Sequence, residues 1–336
     1  MATVAINGLG RIGRAALKII MDTPGLELVA VNDIVPIENI VYLLKYDTVY
    51  GRYNKTVQND GENLVIGGTS CSYFSEKDPA RLPWSSLGVD IVLECTGVFT
   101  KMDDLEKHIQ AGAKYVILSA PAKSDDVPTV VHGVNTVDGN THIVACASCT
   151  TNCITPVVEI LGRRIGIKKA IMTTVHAYTA SQAIVDSQSK RLERGRAGAA
   201  NFVPTSTGAA RATTKALPEL NNLFDGIAVR GPVAVGSLAD IVLVAERKTS
   251  VAEINQIFIE EAASERYRDI VGVTHDPIVS SDIIKDPRAS VIDLGMTRVV
   301  DGDLIKILSW YDNEWGFSNQ MVRKAQQLGQ AQKAVF

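Results

Sequence analysis

Six residues near the start, Gly8-Leu9-Gly10-Arg11-Ile12-Gly13, constrain this chain more than any other stretch. They follow a short apolar run at residues 3–7 that reads as a strand, and they open a helical pattern over residues 11–21. A second apolar run, residues 27–33, ends on Asp33, 20 residues past Gly13. The G-x-G-x-x-G string alone is a weak signal. Set between a strand and a helix, with an acid closing the next strand, it is the fingerprint of a dinucleotide-binding turn. Gly8 permits the tight turn, Gly10 lets the backbone approach a pyrophosphate, and Gly13 lets the helix lie close to the strand. The helix start then offers free N–H groups and a positive dipole end to phosphates, and Asp33 can accept from an adenine-side ribose.

The pattern continues as alternation. Residues 38–45 and 103–111 read as helices, and residues 90–96, 115–119 and 142–147 as further strands. Strands alternating with helices predict a parallel, doubly wound α/β sheet. The second part differs. Residues 168–178, 226–235, 239–245, 289–298 and 304–311 are strand candidates with few helices between them; residues 250–263 and 318–334 read as helices. Residues 180–208 carry no long periodic run and predict a functional loop. The sheet character changes near residue 148. With 336 residues, two domains are expected.

Composition excludes several classes. A net charge of -3 offers no broad basic surface for nucleic acid or an anionic membrane. No stretch reaches about 18 uncharged apolar residues, and the N-terminus reads as the start of a domain, not a signal peptide. Five cysteines in 336 residues make a disulfide framework unlikely and point to a reducing, cytoplasmic setting. There the sequon at Asn54 is a chance match.

Three of those cysteines fall in CASCTTNC, residues 146–153. The spacing Cys146-x-x-Cys149-x-x-x-Cys153 partly imitates an iron–sulfur run, but a fourth thiolate is lacking nearby, so no metal is expected. The other reading is one reactive thiol. Cys149 falls at or just before the first turn of a helix running through residues 157–161, where dipole and unpaired N–H groups favour a thiolate. Ser148, Thr150 and Thr151 surround it with polar groups. Cys146 reads as strand packing and Cys153 as a small buried residue. A base is needed, and there are five histidines. His176, at the end of an apolar strand, is the best placed, and a hydrogen-bonded structural histidine is the competing reading.

The strings INGLGRIGR, VND, LLKYDTVYGRY, ECTGVF, SAPAK, ASCTTNC, TTVHAYT, PTSTGAA, LPEL and WYDNEWGFSNQ span residues 6–320. Together they resemble the phosphorylating glyceraldehyde-3-phosphate dehydrogenase family. The resemblance implies a Rossmann domain over residues 1–148, a mixed α/β catalytic domain with a largely antiparallel sheet over residues 149–316, and a helix, residues 317–336, returning to the first domain. It implies a cytoplasmic homotetramer whose 180–208 loop lies near a neighbour's cofactor.

By the same resemblance Cys149 is the nucleophile and His176 its base. The substrate is D-glyceraldehyde 3-phosphate, oxidised and phosphorylated reversibly through a thiohemiacetal and a thioester, as in glycolysis and gluconeogenesis. Thr179 and Arg230 match the substrate-phosphate site. Ser148, Thr150, Thr207, Gly208 and Arg194 match the attacking-phosphate surroundings, with Arg191 and Arg196 offering other registers for the last. Gly8, Gly10, Arg11, Ile12, Gly13, Asp33, Thr96, Ser119, Ser187, Gln188, Asn313 and Phe317 match the cofactor site, with Asn313 holding the nicotinamide carboxamide.

There are departures. Phe317 stands where the family usually has Tyr. Gly231-Pro232-Val233-Ala234-Val235-Gly236-Ser237 replaces the common V-P-T-P-N-V-S. Asp33 favours NAD by repelling a 2′-phosphate, whereas Ser187-Gln188 is compatible with NADP. The resemblance therefore implies NAD, with an NADP-using or dual form, or erythrose-4-phosphate dehydrogenase, as alternatives. A non-catalytic binding protein would have lost Cys149 or His176. A thiol-based redox sensor is a third reading, and thiol reactivity is common to it and to the enzyme.

Overall fold

A computed structural model describes residues 1–138 and 141–333. The chain clusters into two compact units. One comprises Met1–Val130, Thr136–Ala147 and the chain from Met321; the other comprises Val131–Asn135 and Ser148–Gln320.

The first unit contains strands β1 (Ala2–Asn7), β2 (Leu26–Asn32), β3 (Tyr46–Asp47), β4 (Gly51–Arg52), β5 (Val57–Asn59), β6 (Asn63–Ile66), β7 (Thr69–Phe74), β8 (Ile91–Glu94), β9 (Tyr115–Leu118) and β10 (Ile143–Ala145). Its helices are α1 (Arg11–Ile20), α2 (Ile37–Lys45) and α3 (Met102–Gln110). Eight strands form one sheet in the order β10-β9-β8-β1-β2-β7-β6-β5. From β10 to β7 every pairing is parallel. Val4, Ile6, Ile91 and Leu93 are fully buried, as expected for strands covered on both faces. The order reverses at β1, which lies between β8 and β2, so a crevice opens beyond the carboxyl ends of these three strands.

Two antiparallel strands, β6 and β5, extend the edge beyond β7. They were not expected from the sequence. They are short, and their buried residues, Val57, Leu64 and Ile66, are too few to set a clear period.

The second unit holds β11 (Ile167–Ala177), β12 (Val203–Ser206), β13 (Phe224–Gly231), β14 (Ser237–Ala245), β15 (Val271–Thr274), β16 (Ser290–Asp293), β17 (Arg298–Val300) and β18 (Leu304–Tyr311). Helices α4 (Cys149–Ile165), α5 (Ala209–Ala216) and α6 (Val251–Ala263) belong to it, and α7 (Trp315–Lys333) begins in it. Its sheet order is β12-β13-β11-β14-β18-β16-β15, with β17 on β18. The β11–β13 and β15–β16 pairs are parallel and the rest antiparallel, so the sheet is mixed.

One face is sealed by Ile154, Val157 and Leu161 of α4 packing among Ala239, Ile241, Leu243, Ile305 and Ile307. On the other face Ile171, Val175 and Ile227 stay exposed.

Three expectations need correction. Residues 289–298 are not one strand: a 3-10 turn, Leu294–Met296, separates β16 from β17. The strand expected over residues 226–235 stops at Gly231, because Pro232 has no N–H to continue the ladder. Within 180–208, two 3-10 turns and the edge strand β12 supply order that periodicity does not show.

Candidate active site

In the first unit the turn after β1 is built by its glycines. Gly8 has φ +92°, and a Cβ there would lie 2.7 Å from the Thr96 backbone nitrogen. A Cβ on Gly13 would lie 1.9 Å from the Gly8 carbonyl oxygen. Both glycines are therefore demanded by packing. Gly10 is not: its φ is -65°, and a Cβ would meet nothing within 4 Å. Its bareness opens space instead.

No side chain caps α1, and its first turn holds no acid, so the positive helix end faces outward. Asp33 accepts from the Leu9 N–H at 2.6 Å and the Val35 N–H at 3.1 Å. Gly8, Gly10, Asp33 and Thr96 line a cavity of about 400 Å³ together with Asn7 and Asn32. The open backbone cradle, the uncapped helix and an acid bonded to the turn fit a dinucleotide.

Arg11 turns its guanidinium to Asp47 at 2.6 Å, so what this position offers the cavity is backbone. Ile12, beside it, is half-buried. Ser119 lies at the end of β9, where its N–H donates to the Glu94 carbonyl at 3.0 Å.

Beneath the cavity lies a network the sequence reading missed. Glu94 is completely buried. One oxygen accepts from the Thr96 N–H at 2.8 Å; the other meets Asn7 Nδ2 at 2.6 Å and His108 Nε2 at 3.1 Å. His108 Nδ1 accepts from Trp84 Nε1 at 3.0 Å, which places the His108 proton on Nε2 toward the carboxylate. The only early signal was the ECTG string, with nothing to name its partners.

In the second unit Ser148 caps α4, its Oγ accepting from the Thr151 N–H at 3.1 Å. Cys149 is therefore the first residue of the helix, where the dipole acts most strongly. Its Sγ lies 3.3 Å from His176 Nε2. The parallel register of β11 on β13 sets His176 beside Arg230. His176 Nδ1 is 2.7 Å from the Ala177 carbonyl and 2.8 Å from Arg230 NH1. With the Nδ1 proton directed to Ala177, Arg230 NH1 donates not to the ring but to the same Ala177 carbonyl at 3.0 Å, and Nε2 is free to accept from the thiol. Tyr311 packs edge-on to the imidazole, and its hydroxyl meets Thr150 Oγ1 at 2.9 Å and Thr174 Oγ1 at 2.8 Å.

Burial pushes the His176 imidazole down to about 3, aided by the charges of Arg230 and Arg194 and opposed by the hydrogen bond to Ala177. Burial likewise raises the Cys149 thiol, while Arg230 and hydrogen bonds from Thr150 favour its thiolate. The thiol and imidazole thus favour their uncharged forms, and a proton moving from one to the other stays inside the pair. Thr150 serves the thiol and Tyr311 rather than open space.

The other cysteines behave differently. Cys153 is buried, 3.4 Å from Ser309 Oγ, and its thiol is pushed up to about 12; burial does the same to Cys146. Among the described residues no three His, Cys, Asp or Glu side chains are grouped to hold a metal.

A cationic cluster adjoins the pair. Burial, then repulsion from Arg230 and Arg191, lowers Arg194, and burial lowers Arg230. Arg230 Nε is buried without a hydrogen-bond partner. Arg194 is the inward register: Nε donates to Thr205 Oγ1 at 3.1 Å and NH1 to Ser181 Oγ at 3.4 Å, and Ser181 meets Thr179 Oγ1 at 2.9 Å. Arg196 instead pairs with Asp186 at 2.8 Å, both exposed. Ser181 had no sequence signal, and Thr205 only its place in the PTSTGAA string.

Thr207 Oγ1 accepts at 3.2 Å from the N–H of Ala209, the first residue of α5, and Gly208 fills the N-cap position without a side chain. Ser187 and Gln188 are exposed. Phe317 is buried in α7. Asn313 is buried too, its Oδ1 accepting from the Gly236 N–H and Ser237 Oγ. The departure at Gly236 is explained by its φ of +95° and by the Ser280 carbonyl, which a Cβ would approach to 2.1 Å.

An α/β fold with a dinucleotide-type turn in one unit and a thiol–imidazole pair among cations in the other defines a thiol-bearing, dinucleotide-dependent dehydrogenase. Residues 2–102 match the family described as glyceraldehyde 3-phosphate dehydrogenase, NAD binding domain; residues 148–313 match glyceraldehyde 3-phosphate dehydrogenase, C-terminal domain. The chain is 46% identical over 329 residues to the glyceraldehyde-3-phosphate dehydrogenase of Zymomonas mobilis, covering 97% of this chain and 98% of that one. It is 46% identical over 323 residues to the corresponding protein of Streptomyces coelicolor, covering 95% and 96%. With that of Clostridium acetobutylicum it shares 44% over 330 residues, covering 96% and 97%. The chain belongs to the glyceraldehyde-3-phosphate dehydrogenase family.

Proposed function

We propose that this chain is the phosphorylating enzyme, converting D-glyceraldehyde 3-phosphate and inorganic phosphate to 1,3-bisphosphoglycerate with NAD. The observation that carries this reading is the 3.3 Å contact between Cys149 Sγ and His176 Nε2 at a helix start, beside an arginine with an unpartnered buried nitrogen. Residues 1–148 with 317–336 serve the cofactor and residues 149–316 the chemistry.

His176 takes the Cys149 proton as sulfur attacks the aldehyde carbon, then returns it to the developing oxyanion, leaving a thiohemiacetal. When bound, the nicotinamide supplies the hydride acceptor. Nε2 removes the hydroxyl proton as the carbon is oxidised, and a thioester remains on Cys149. Phosphate oxygen attacks the thioester carbonyl and the Cys149 thiolate departs. A thiolate suits all of this because it is a strong nucleophile and then a good leaving group.

Thr179 and Arg230 hold the substrate phosphate, for which the unpartnered Arg230 Nε is a ready donor. Arg194, Thr207 and Gly208, with Ser148 nearby, hold the attacking phosphate. The mutual repulsion of Arg191, Arg194 and Arg230 is relieved by a bound anion. Asp33 favours NAD over NADP: it already accepts two backbone N–H groups as a carboxylate and would repel a 2′-phosphate. Self-association into a tetramer is supported by exposed Ile171, Val175 and Ile227 on the open sheet face and by Ile184, Val185 and Leu192 in the 180–208 loop. Five free cysteines suit a reducing, cytoplasmic setting, and no described helix is long and apolar enough to cross a membrane.

The test is the initial rate of NAD and NADP reduction with glyceraldehyde 3-phosphate, each with and without inorganic phosphate. Phosphate-dependent turnover with NAD is expected. Turnover indifferent to phosphate would remove the acyl-phosphate step. Comparable NADP turnover would show Ser187 and Gln188 outweighing Asp33. Activity only with erythrose 4-phosphate would move the chain to that sister enzyme.

A further inference from the structure

The floor of the first unit's cavity is one hydrogen-bonded chain whose polarity is forced from both ends. At one end Trp84 Nε1–H can only donate, so His108 Nδ1 accepts and His108 Nε2–H donates to Glu94 Oε2. At the other end the Glu76 N–H donates to Asn32 Oδ1 at 2.9 Å, and Asn32 Nδ2 donates to the Glu76 carbonyl at 2.9 Å. The second hydrogen on that nitrogen goes to Asn7 Oδ1 at 2.7 Å, which turns Asn7 Nδ2 to Glu94 Oε2. Two runs of donors therefore meet head-on at Glu94. Its other oxygen takes the Thr96 N–H and the Thr96 hydroxyl. Only a group that accepts on both atoms closes such a chain, which a carboxylate does and an amide cannot. Trp84, His108, Glu94, Asn7 and Asn32 are all buried, so water does not substitute for a lost partner.

Glu94, Asn7 and Asn32 are the last residues of β8, β1 and β2, and the chain crosses the ends of these three neighbouring strands. Thr96, Asn7, Asn32 and Glu76 all line the cavity. Thr96 is also the residue whose backbone Gly8 of the nucleotide turn packs against. Asn32 and Glu76 are held to each other by two bonds of their own. What Glu94 adds is the tie from that pair, through Asn7, to the Thr96 wall on the other side of β1.

We infer that Glu94 is a positioning residue for the dinucleotide: it sets the span between the Thr96 wall and the Asn32–Glu76 wall. A ligand reaching across both walls needs that tie, and a ligand held at the Asp33 side alone does not. This rests on the reading of the cavity as the NAD site, with the adenine-side ribose at Asp33.

The test is equilibrium binding to the full-length protein of two ligands: NAD, which spans the cavity, and AMP, which has only the adenine half. Glu94→Gln keeps size and shape but sets an NH2 group against N–H donors whichever way the amide is turned. It should weaken NAD about 10-fold, while AMP affinity and kcat at saturating NAD stay within about 2-fold. A merely structural role would lower the melting temperature and leave both affinities of the folded protein alone. A general loosening of the cavity would weaken AMP as much as NAD. Either result overturns the proposal.

A pair of His108 variants tests the chain from its other end, and decides alone if Glu94→Gln does not fold. His108→Gln carries an acceptor for Trp84 and a donor for Glu94, and should bind NAD within about 3-fold of the unaltered protein. His108→Leu fills similar space with neither, and should weaken NAD about 10-fold while sparing AMP. Equal NAD affinity in the two variants would overturn the proposal.

Asp33→Ala separates the tie from the reading beneath it. Unchanged AMP binding in Asp33→Ala would remove the placing of the adenine-side ribose at Asp33. Weakened AMP binding there, with Glu94→Gln weakening AMP and NAD alike, would remove the tie alone.

Discussion

The two strand-to-helix turns at Gly8–Arg11 and Ala147–Cys149 start from the same physics and end with opposite designs. Each aims the positive end of a helix at a site. At α1 no side chain caps the helix, and the residue before it is a glycine with empty space where a Cβ would be. That turn is made of backbone, and it works by leaving things out. At α4 Ser148 caps the first turn, and the leading residue is the cysteine that faces His176. Ala147, just before it, takes a left-handed φ of +56°, a strained value for a residue with a side chain. That turn works by what it puts in. A backbone-built site is damaged by added atoms; a side-chain-built site is damaged by exchanged chemistry.

The largest effect should come from chemistry at the second turn. Cys149→Ser removes the soft nucleophile, and phosphate-dependent turnover should fall by at least about 10³-fold with the melting temperature nearly unchanged. Retained turnover would make α4's start an ordinary helix end. His176→Asn should follow, lowering kcat by about 10²–10⁴-fold and slowing iodoacetamide alkylation of Cys149.

The first turn should answer to added atoms, and to each glycine differently. Gly13→Ala forces a Cβ to 1.9 Å from the Gly8 oxygen and should cost about 1–3 kcal/mol in a denaturant titration. Gly10→Ala should leave the unfolding midpoint near that of the unaltered protein yet weaken NAD about 10-fold, because only the ligand needs that space. If both lost stability equally, the distinction between packing glycines and a ligand glycine would fail. Ser148→Ala should cost about 1 kcal/mol as a lost cap.

The last effect is a slope in pH. His176 is held down to about 3 from 6.5, so on acidification the unfolded chain takes up a proton that the folded site refuses. The stability that His176 contributes is present above about pH 6.5 and is lost progressively as pH falls toward about 3. Urea midpoints at about pH 7 and about pH 4.5 should differ less in His176→Asn than in the unaltered protein. An unchanged difference would mean that burial of His176 does not drive the slope.

Much of the first unit was legible because its information is local. Gly8, Gly10 and Gly13 sit within six residues, and the strand before them and the helix after them lie in one continuous stretch. The α4 start was readable for the same reason, since a cap and its helix are neighbours in sequence. Reading failed where partners are distant. Glu94 meets residues 87 positions back and 14 ahead, and no period in the chain ties Asn7 to His108. The strand expected over 289–298 fails because one 3-10 turn among apolar residues does not disturb the pattern.

By itself, the sequence determined the α/β class, the nucleotide turn, and a cysteine at a helix start with a histidine as candidate partner. Those follow from torsional limits, dipoles and periodicity, which act over a few residues. Only the tertiary structure decided which groups meet. The β11–β13 register put Arg230 beside His176, the loop geometry turned Arg194 inward and Arg196 to Asp186, and the fold brought Ser237 between Ala177 and Asn313. These are contacts between residues 10 to 76 positions apart. Their geometry is set by how strands pair and helices pack, and a one-residue slip in register would remove them without changing any local motif.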